Sequence, residues 1–372
     1  MEYNDDMSQV KKILIISYYF PPSNSVGAVR VGALYEFLTR HGYDVEIVCF
    51  EKNSKSIPSQ KKVKKKVLKK VKLSQYFRSI DKTVFSKFTL LNLKNMIYYR
   101  NKYDIIICSY KPISNILLGI LLKILSNKTK LFIEFRDLIS QFGRKKKAFF
   151  FHKSDELMDK FYCKFADELI SVSPTSRSKA QKFYQRKVNL IYNGIDSRKD
   201  YYKEPSNKVK ILYAGTLSEV RNLKLITNHI QKSERDVELI VASNQNPEDY
   251  NGNFKFVKHI GFISRTELEE IIKQVDFLLI LEGFDKDSEE NIPAKIFEYL
   301  SYNKPIMASC SPNSEIVKIL DETESGKNIN DFKDFDEYLK IKNYRVNKNI
   351  DLYTRENQFR KYLKLIDEHI KA

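Results

Sequence analysis

The sequence predicts an α/β protein made of two doubly wound domains with parallel sheets, and three observations carry that reading. Its 372 residues exceed one ordinary domain and suit two, at roughly 150 residues each. Short runs of aliphatic and β-branched residues alternate with helical stretches, the pattern of strands buried on both faces beneath helices. The alternation runs through one series, breaks in a polar stretch, and then starts again.

The first series places strands at residues 12–17, 45–50, 104–108, 130–135, 168–172 and 189–192. The second places them at 209–213, 237–241, 255–260, 277–281 and 305–308. Between the two, residues 196–208 are polar and carry Pro205, as a linker does. The expected organisation is a first domain over 1–198 with a lysine-rich insert at 52–72, a second domain over 206–350, and a terminal helix over 351–372. In that helix Leu352, Phe359, Leu363, Ile366 and Ile370 fall close to one face. No internal repeat is visible.

Composition narrows the class. Hydrophobic residues are 42% and aromatics 13%, enough to build cores and too many for a disordered chain. Cys49, Cys108, Cys163 and Cys310 stand apart, with no C-x-x-C pair, so they predict reduced core thiols and no metal site. The start, MEYNDDMSQVKK, lacks the features of a secretory leader. The longest apolar run, residues 113–125, is interrupted by Ser114, Asn115 and Lys123 and is shorter than the ~20 residues that cross a bilayer. A cytoplasmic protein with a core helix at 113–125 is the expectation.

The net charge is +18, a field that draws in nucleic acid, anionic lipid or phosphorylated substrates. Residues 61–72, KKVKKKVLKKVK, hold eight lysines, among them Lys61, Lys62, Lys65, Lys66, Lys69 and Lys70. Val63, Val67, Leu68 and Val71 are spaced as on a basic amphipathic helix. Such a segment reads as a patch for an anionic inner membrane surface or as a solvated insert. Nucleic acid is not expected as a partner, since no RNA-binding motif is present.

Three stretches carry chemistry. After the first strand, YYFPPSNSVGAVR places Pro21 and Pro22 in a loop and Gly27 at a helix start, where a phosphate or a plain turn both fit. One glycine stands where a dinucleotide fingerprint needs three, which argues against an NAD site. In the second half, YAGTLSEVRNLK ends a strand at Gly215 and follows it with Arg221 and Lys224, cations suited to a diphosphate or simply exposed. Finally, LEGFDKDSEENIPAKIFEYLSYNKPI sets Glu290 ahead of Glu298 with seven residues between them, and puts Pro293 where a helix over 294–301 would start. Two carboxylates around an anion site suit a nucleotide sugar, because they accept hydrogen bonds from hydroxyls.

Together, YYFPP…G…R, NGID (193–196), YAGTL…R and E-x7-E within PAKIFEYLSYNKPI resemble glycosyltransferase family 4, the retaining enzymes of GT-B architecture. The resemblance spans the chain apart from the lysine segment. It implies two Rossmann-like domains with parallel sheets facing a central cleft and a C-terminal helix packing back toward the first domain. It also implies retaining, metal-independent transfer of a sugar from a UDP- or GDP-linked donor, with no cofactor. The acceptor is expected to be a saccharide or lipid-linked saccharide of capsule, O-antigen or lipopolysaccharide assembly, at the inner membrane face.

By that resemblance Glu290 meets the donor sugar and Glu298 the ribose. Ala294, Lys295 and the amides nearby meet the diphosphate; Arg221 stands where the family usually has a phosphate-binding lysine, with Lys224 beside it. Gly27 lies in the loop across the cleft. Two departures stand out: Thr216 occupies a position where the family often has Arg, and EFRDL (134–138) replaces a usual His. Arg136 and Asp137 are therefore candidates for the active-site floor, though a buried ion pair at a strand end would account for Asp137 equally. In an open cleft, replacing the donor-site residues is expected to leave stability almost unchanged. Asp285-Lys-Asp287 imitates a metal-binding D-x-D and reads as loop charge. His41, His152, His229, His259 and His369 do not cluster. A GT-B nucleotide-sugar epimerase and a basic nucleic-acid-binding protein are the alternative readings.

Overall fold

The computed structural model describes residues 11–23, 25–49, 65–67, 96–110, 113–126, 128–135, 160–196, 198–199, 201, 208–289, 291–341 and 348–370. They form two compact units, Met1–Tyr192 with Gln358–Ala372 and Asn193–Asn357.

The first unit holds a seven-stranded parallel sheet. Its strands are β1 (Lys12–Ile16), β2 (Asp44–Cys49), β3 (Lys65–Val67), β4 (Ile105–Ser109), β5 (Lys130–Phe135), β6 (Glu168–Ser171) and β7 (Asn189–Leu190). The spatial order is β3-β2-β1-β4-β5-β6-β7, so the chain works outward from β1 in one direction and then returns to work outward in the other. Helix α1 (Val26–Arg40) starts where Ser25 accepts a hydrogen bond from the Ala28 amide, satisfying one of the donors a helix start leaves open. Helices α2 (Met96–Tyr99), α3 (Ile113–Ile124) and α4 (Pro174–Tyr184) follow. The apolar run at 113–125 is thus a core helix.

Period-two alternation divides the β1 side chains between two layers. Ile13 and Ile15 join Leu34, Phe37 and Leu38 of α1 together with Phe359, Tyr362 and Ile366 near the C-terminus. Leu14 and Ile16 face Ile116, Leu118 and Ile120 of α3. The terminal segment therefore packs on the first unit, as expected. A buried ion pair lies beneath it. Arg30 donates from Nε and Nη2 to Glu134 at 3.0 and 2.8 Å, to the Tyr192 carbonyl at 2.5 Å and to the Ile191 carbonyl at 3.0 Å. Tyr362 also donates to Glu134. The two charged side chains are 1% and 2% exposed.

The second unit has a six-stranded parallel sheet of β8 (Val209–Ala214), β9 (Val237–Ala242), β10 (Val257–His259), β11 (Phe277–Leu281), β12 (Ile306–Ser309) and β13 (Gly326–Asn328). Their order is β10-β9-β8-β11-β12-β13. Its helices are α5 (Lys224–Lys232), α6 (Arg265–Gln274), α7 (Lys286–Glu289), α8 (Ala294–Leu300), α9 (Glu315–Thr323) and α10 (Phe332–Tyr338), and α11 (Arg355–Ile370) leads back to the first unit. Ile211, Tyr213, Val241, Phe277 and Leu279 pack against Ile226 and Ile230 of α5 and Phe335 of α10.

One device recurs in both sheets. Asp104, ahead of β4, accepts from the Lys12 amide at 2.8 Å; Asp276, ahead of β11, accepts from the Lys210 amide at 2.7 Å. Each carboxylate locks the register of the strand pair at which the strand order reverses. Within the second unit, Gly194 of NGID has φ +72°, and a Cβ there would lie 3.0 Å from the Arg355 backbone. Ile195 exchanges backbone bonds with Tyr353 and Arg355, both at 2.8 Å. The motif thus makes a tight backbone seam.

Several expectations change. The helical reading of residues 61–72 is overturned at Lys65–Val67, which form β3 and pair with Ile47–Cys49 of β2. The open edge of β2 offers backbone partners that local spacing does not register. The rest of that segment, with Lys61, Lys62, Lys69 and Lys70, lies outside the described residues. Strand β13 was not expected; its sequence, GKN, has no apolar signature. Pro293 caps α8 and is not its first residue.

Candidate donor site at the carboxyl edge of the second sheet

In a doubly wound sheet, ligands bind beyond the carboxyl ends of the strands where the order reverses. In the second unit that point lies between β8 and β11. Four of the residues singled out in the sequence meet or neighbour it: Arg221, Ala294, Lys295 and Glu298.

The loop after β8 turns back on itself. Ser218 and Arg221 exchange backbone hydrogen bonds at 3.2 and 3.1 Å, and the Arg221 amide also donates to Ser218 Oγ at 3.2 Å. Arg221 then donates from Nε and Nη2 to Glu282, both at 2.9 Å. Glu282 directly follows β11 and its side chain is 2% exposed, against 35% for Arg221. Asn291 Nδ2 donates to the same carboxylate at 3.0 Å. The hydrogen bonds to Glu282 hold the Arg221 guanidinium above its ordinary pKa, against the opposing effect of burial. Glu282 was not anticipated. Its signal was a carboxylate closing the apolar run FLLIL, but its partner lies 61 residues away.

Lys295, in the first turn of α8, projects toward the end of β8. Its Nζ lies 5.2 Å from the Tyr213 ring centre and 1.9 Å from where a Cβ on Gly215 would stand. Burial pushes its pKa down to about 8; Glu298 and Glu282 act in the other direction and Arg221 adds to the fall. One turn along α8, Glu298 accepts from Tyr302 Oη at 3.4 Å and lies 3.9 Å from Arg265 Nε. Its side chain is 30% exposed, so it retains acceptor capacity toward solvent. A cavity of about 300 Å³ opens beside Glu282, lined among others by Val220, Phe284 and Ser309.

The remaining candidates are placed differently. Lys224 begins α5 and is exposed. Gly27 is buried in the first turn of α1, in the first unit. Glu290, Arg136 and Asp137 lie outside the described residues. Asp285 accepts from Ser288 N and Oγ at 3.2 and 2.9 Å, capping the turn that starts α7. Among the described residues no group of three His, Cys, Asp or Glu side chains could hold a metal. All four cysteines are buried thiols outside any disulfide. His229 and His259 meet backbone carbonyls and His369 meets Glu168. Among the described residues no helix is long and apolar enough to cross a membrane.

Residues 27–199 match the model of Glycosyltransferase Family 4. No curated protein matches the chain. Among solved structures, it resembles sucrose-phosphate synthase from Thermosynechococcus elongatus, with TM-score 0.67 and 14% identity over 97% of this chain and 100% of that one. A lipopolysaccharide outer core galactosyltransferase in its apo form gives TM-score 0.62 and 16% identity over 96% and 99% of the two chains. An Anabaena protein, HepE, solved with UDP and glucose, gives 0.56 and 13% over 95% of each. These likenesses establish the GT-B fold. The chain thus has the GT-B fold, and within it residues 27–199 match Glycosyltransferase Family 4.

Proposed function

We propose that this glycosyltransferase moves one sugar from a UDP- or GDP-linked donor to a saccharide or lipid-linked saccharide, with retention of anomeric configuration. The observation that carries the donor reading is the gathering of Arg221, Lys295, Glu282 and Glu298 at the point of the second sheet where strand order reverses. Cations there suit a diphosphate, and a half-exposed carboxylate suits vicinal ribose hydroxyls. HepE was solved with UDP and glucose, the same ligand class.

In this reading Glu298 holds the ribose, while Lys295, Arg221, Lys224 and the backbone at Ala294 meet the diphosphate. Glu290 orients the donor sugar, Gly27 is a further donor contact, and Arg136 and Asp137 act at the active-site floor. Positive side chains aimed at the departing diphosphate stabilise charge where it develops, so transfer is expected to need no metal. The departing phosphate assists the incoming hydroxyl on the same face. Assembly of a cell-surface polysaccharide at the cytoplasmic face of the membrane fits the outer core galactosyltransferase among the structural neighbours. Lys61, Lys62, Lys69 and Lys70 would supply the charge that attracts anionic lipid.

A panel of UDP-, GDP- and CMP-sugars tests the reading. One UDP- or GDP-sugar should raise the melting temperature saturably and be consumed with transfer to an acceptor. An isomerised donor as product would instead mark an epimerase.

A further inference from the structure

We propose that Lys295 is the cation that takes the charge of the donor diphosphate, and that Gly215 lacks a side chain so that this ammonium can reach the edge of the sheet. The proposal rests on the donor-site reading above and goes beyond it by choosing among the cations gathered there.

The three cations are not equivalent. Arg221 already spends two of its nitrogens on Glu282, so that pair brings little net charge to an incoming anion. Lys224 is exposed, where water and salt screen it. Lys295 is half-buried, and among the described residues it has neither a hydrogen bond nor an ion pair. An ammonium carries three donors, and withdrawing it from water is unfavourable unless something accepts them. The Tyr213 ring at 5.2 Å offers only a partial substitute. A desolvated ammonium beside the strand-order reversal is therefore a vacant partner for an anion.

Gly215 supplies the second observation. It is the first residue beyond β8, and a Cβ on it would stand 1.9 Å from Lys295 Nζ and 3.3 Å from Tyr213 Oη. Any side chain would displace the ammonium and leave the backbone intact, because Nζ is the mobile end of a flexible chain. Lysine at 295 and glycine at 215 thus form one arrangement.

A pH dependence follows. The groups facing Nζ are Tyr213 from β8, Arg221 from the following loop, Glu282 from the end of β11 and Glu298 on α8 itself. The Tyr213 phenol is pushed up to about 12 by burial and so stays neutral through the relevant range. Lys295 is charged below about 8 and loses its proton above it. The diphosphate of a nucleotide is fully ionised above roughly pH 7, so its charge stays constant as Lys295 titrates; the uracil or guanine ring loses its own proton only at higher pH.

Calorimetric titration of the full chain with UDP and GDP tests this, using whichever the parent binds. Lys295→Gln should weaken binding by roughly 30-fold, the scale of one charge-assisted hydrogen bond, and Lys295→Arg should restore it to within about threefold. Gly215→Ala should weaken it by roughly tenfold with an unchanged melting temperature. Parent affinity should begin to fall above about pH 8, toward tenfold per pH unit, and the arginine variant should show no such fall up to about pH 9. If the parent binds neither nucleotide, the donor-site reading fails and this proposal with it. If the parent binds and Lys295→Gln binds as tightly, or the parent shows no fall above pH 8, only the Lys295 assignment is overturned.

Discussion

Arg221→Ala should unfold the second unit more easily, contrary to what an open cleft implies. Breaking a fully buried ion pair by removing one partner costs about 3–5 kcal/mol, because the other charge is left in a poor medium. Here Glu282 is 2% exposed but Arg221 is 35% exposed, so part of the pair is already screened. Glu282 also keeps Asn291 Nδ2 at 3.0 Å and its neighbour's amide, Gly283 N, at 3.3 Å. These reduce the expected loss to about 2 kcal/mol. For a unit of this size that is a fall of roughly 4–8 °C in the transition of the second unit. Scanning calorimetry without ligand reads it. The double variant Arg221→Ala/Glu282→Gln removes the stranded charge and should recover to within about 1 kcal/mol of the parent. An unchanged transition in Arg221→Ala, or a double variant less stable than the single, would refute the argument that Glu282 needs its counter-charge.

The first unit offers a sharper case. Arg30→Met strands Glu134, and with both groups almost fully buried it should cost about 3–5 kcal/mol in chemical denaturation. In the donor site, Glu298→Gln loses charge-assisted bonds present in ground and transition states alike, so donor affinity should weaken by about 1.5–3 kcal/mol with turnover less affected; calorimetry and initial rates separate the two. Replacing Lys61, Lys62, Lys69 and Lys70 by Glu should abolish sedimentation with anionic vesicles at moderate salt, each basic residue contributing about 1 kcal/mol, and retained sedimentation would remove the membrane proposal.

The strands were legible because both sheets are parallel and covered on both faces, so KILII, IIICS and FLLIL are apolar without interruption. Strands β3 and β13 escaped for the same reason in reverse. KKV and GKN are held by a neighbouring edge and carry little apolar signal of their own. At the site, E-x7-E and the YAGTL…R stretch were visible as patterns, whereas Glu282 was not, since its meaning depends on Arg221 in another loop. The Arg30–Glu134–Tyr362 cluster shows this most plainly. Both Arg30 and Glu134 stood in quoted motifs, yet the hydroxyl that completes them is 228 residues from Glu134. Spacing reveals local geometry; the pairing of buried charges is set by which strands become neighbours.

A nucleotide sugar is expected to bind at the carboxyl edge of the second sheet between β8 and β11. Amide hydrogen exchange with and without saturating UDP or GDP tests it most directly. Exchange should slow in residues 213–223 and 282–300, and less so in Lys295→Gln in parallel with its affinity. Protection confined to the first unit, or none at a nucleotide concentration that calorimetry shows to be saturating, would contradict it.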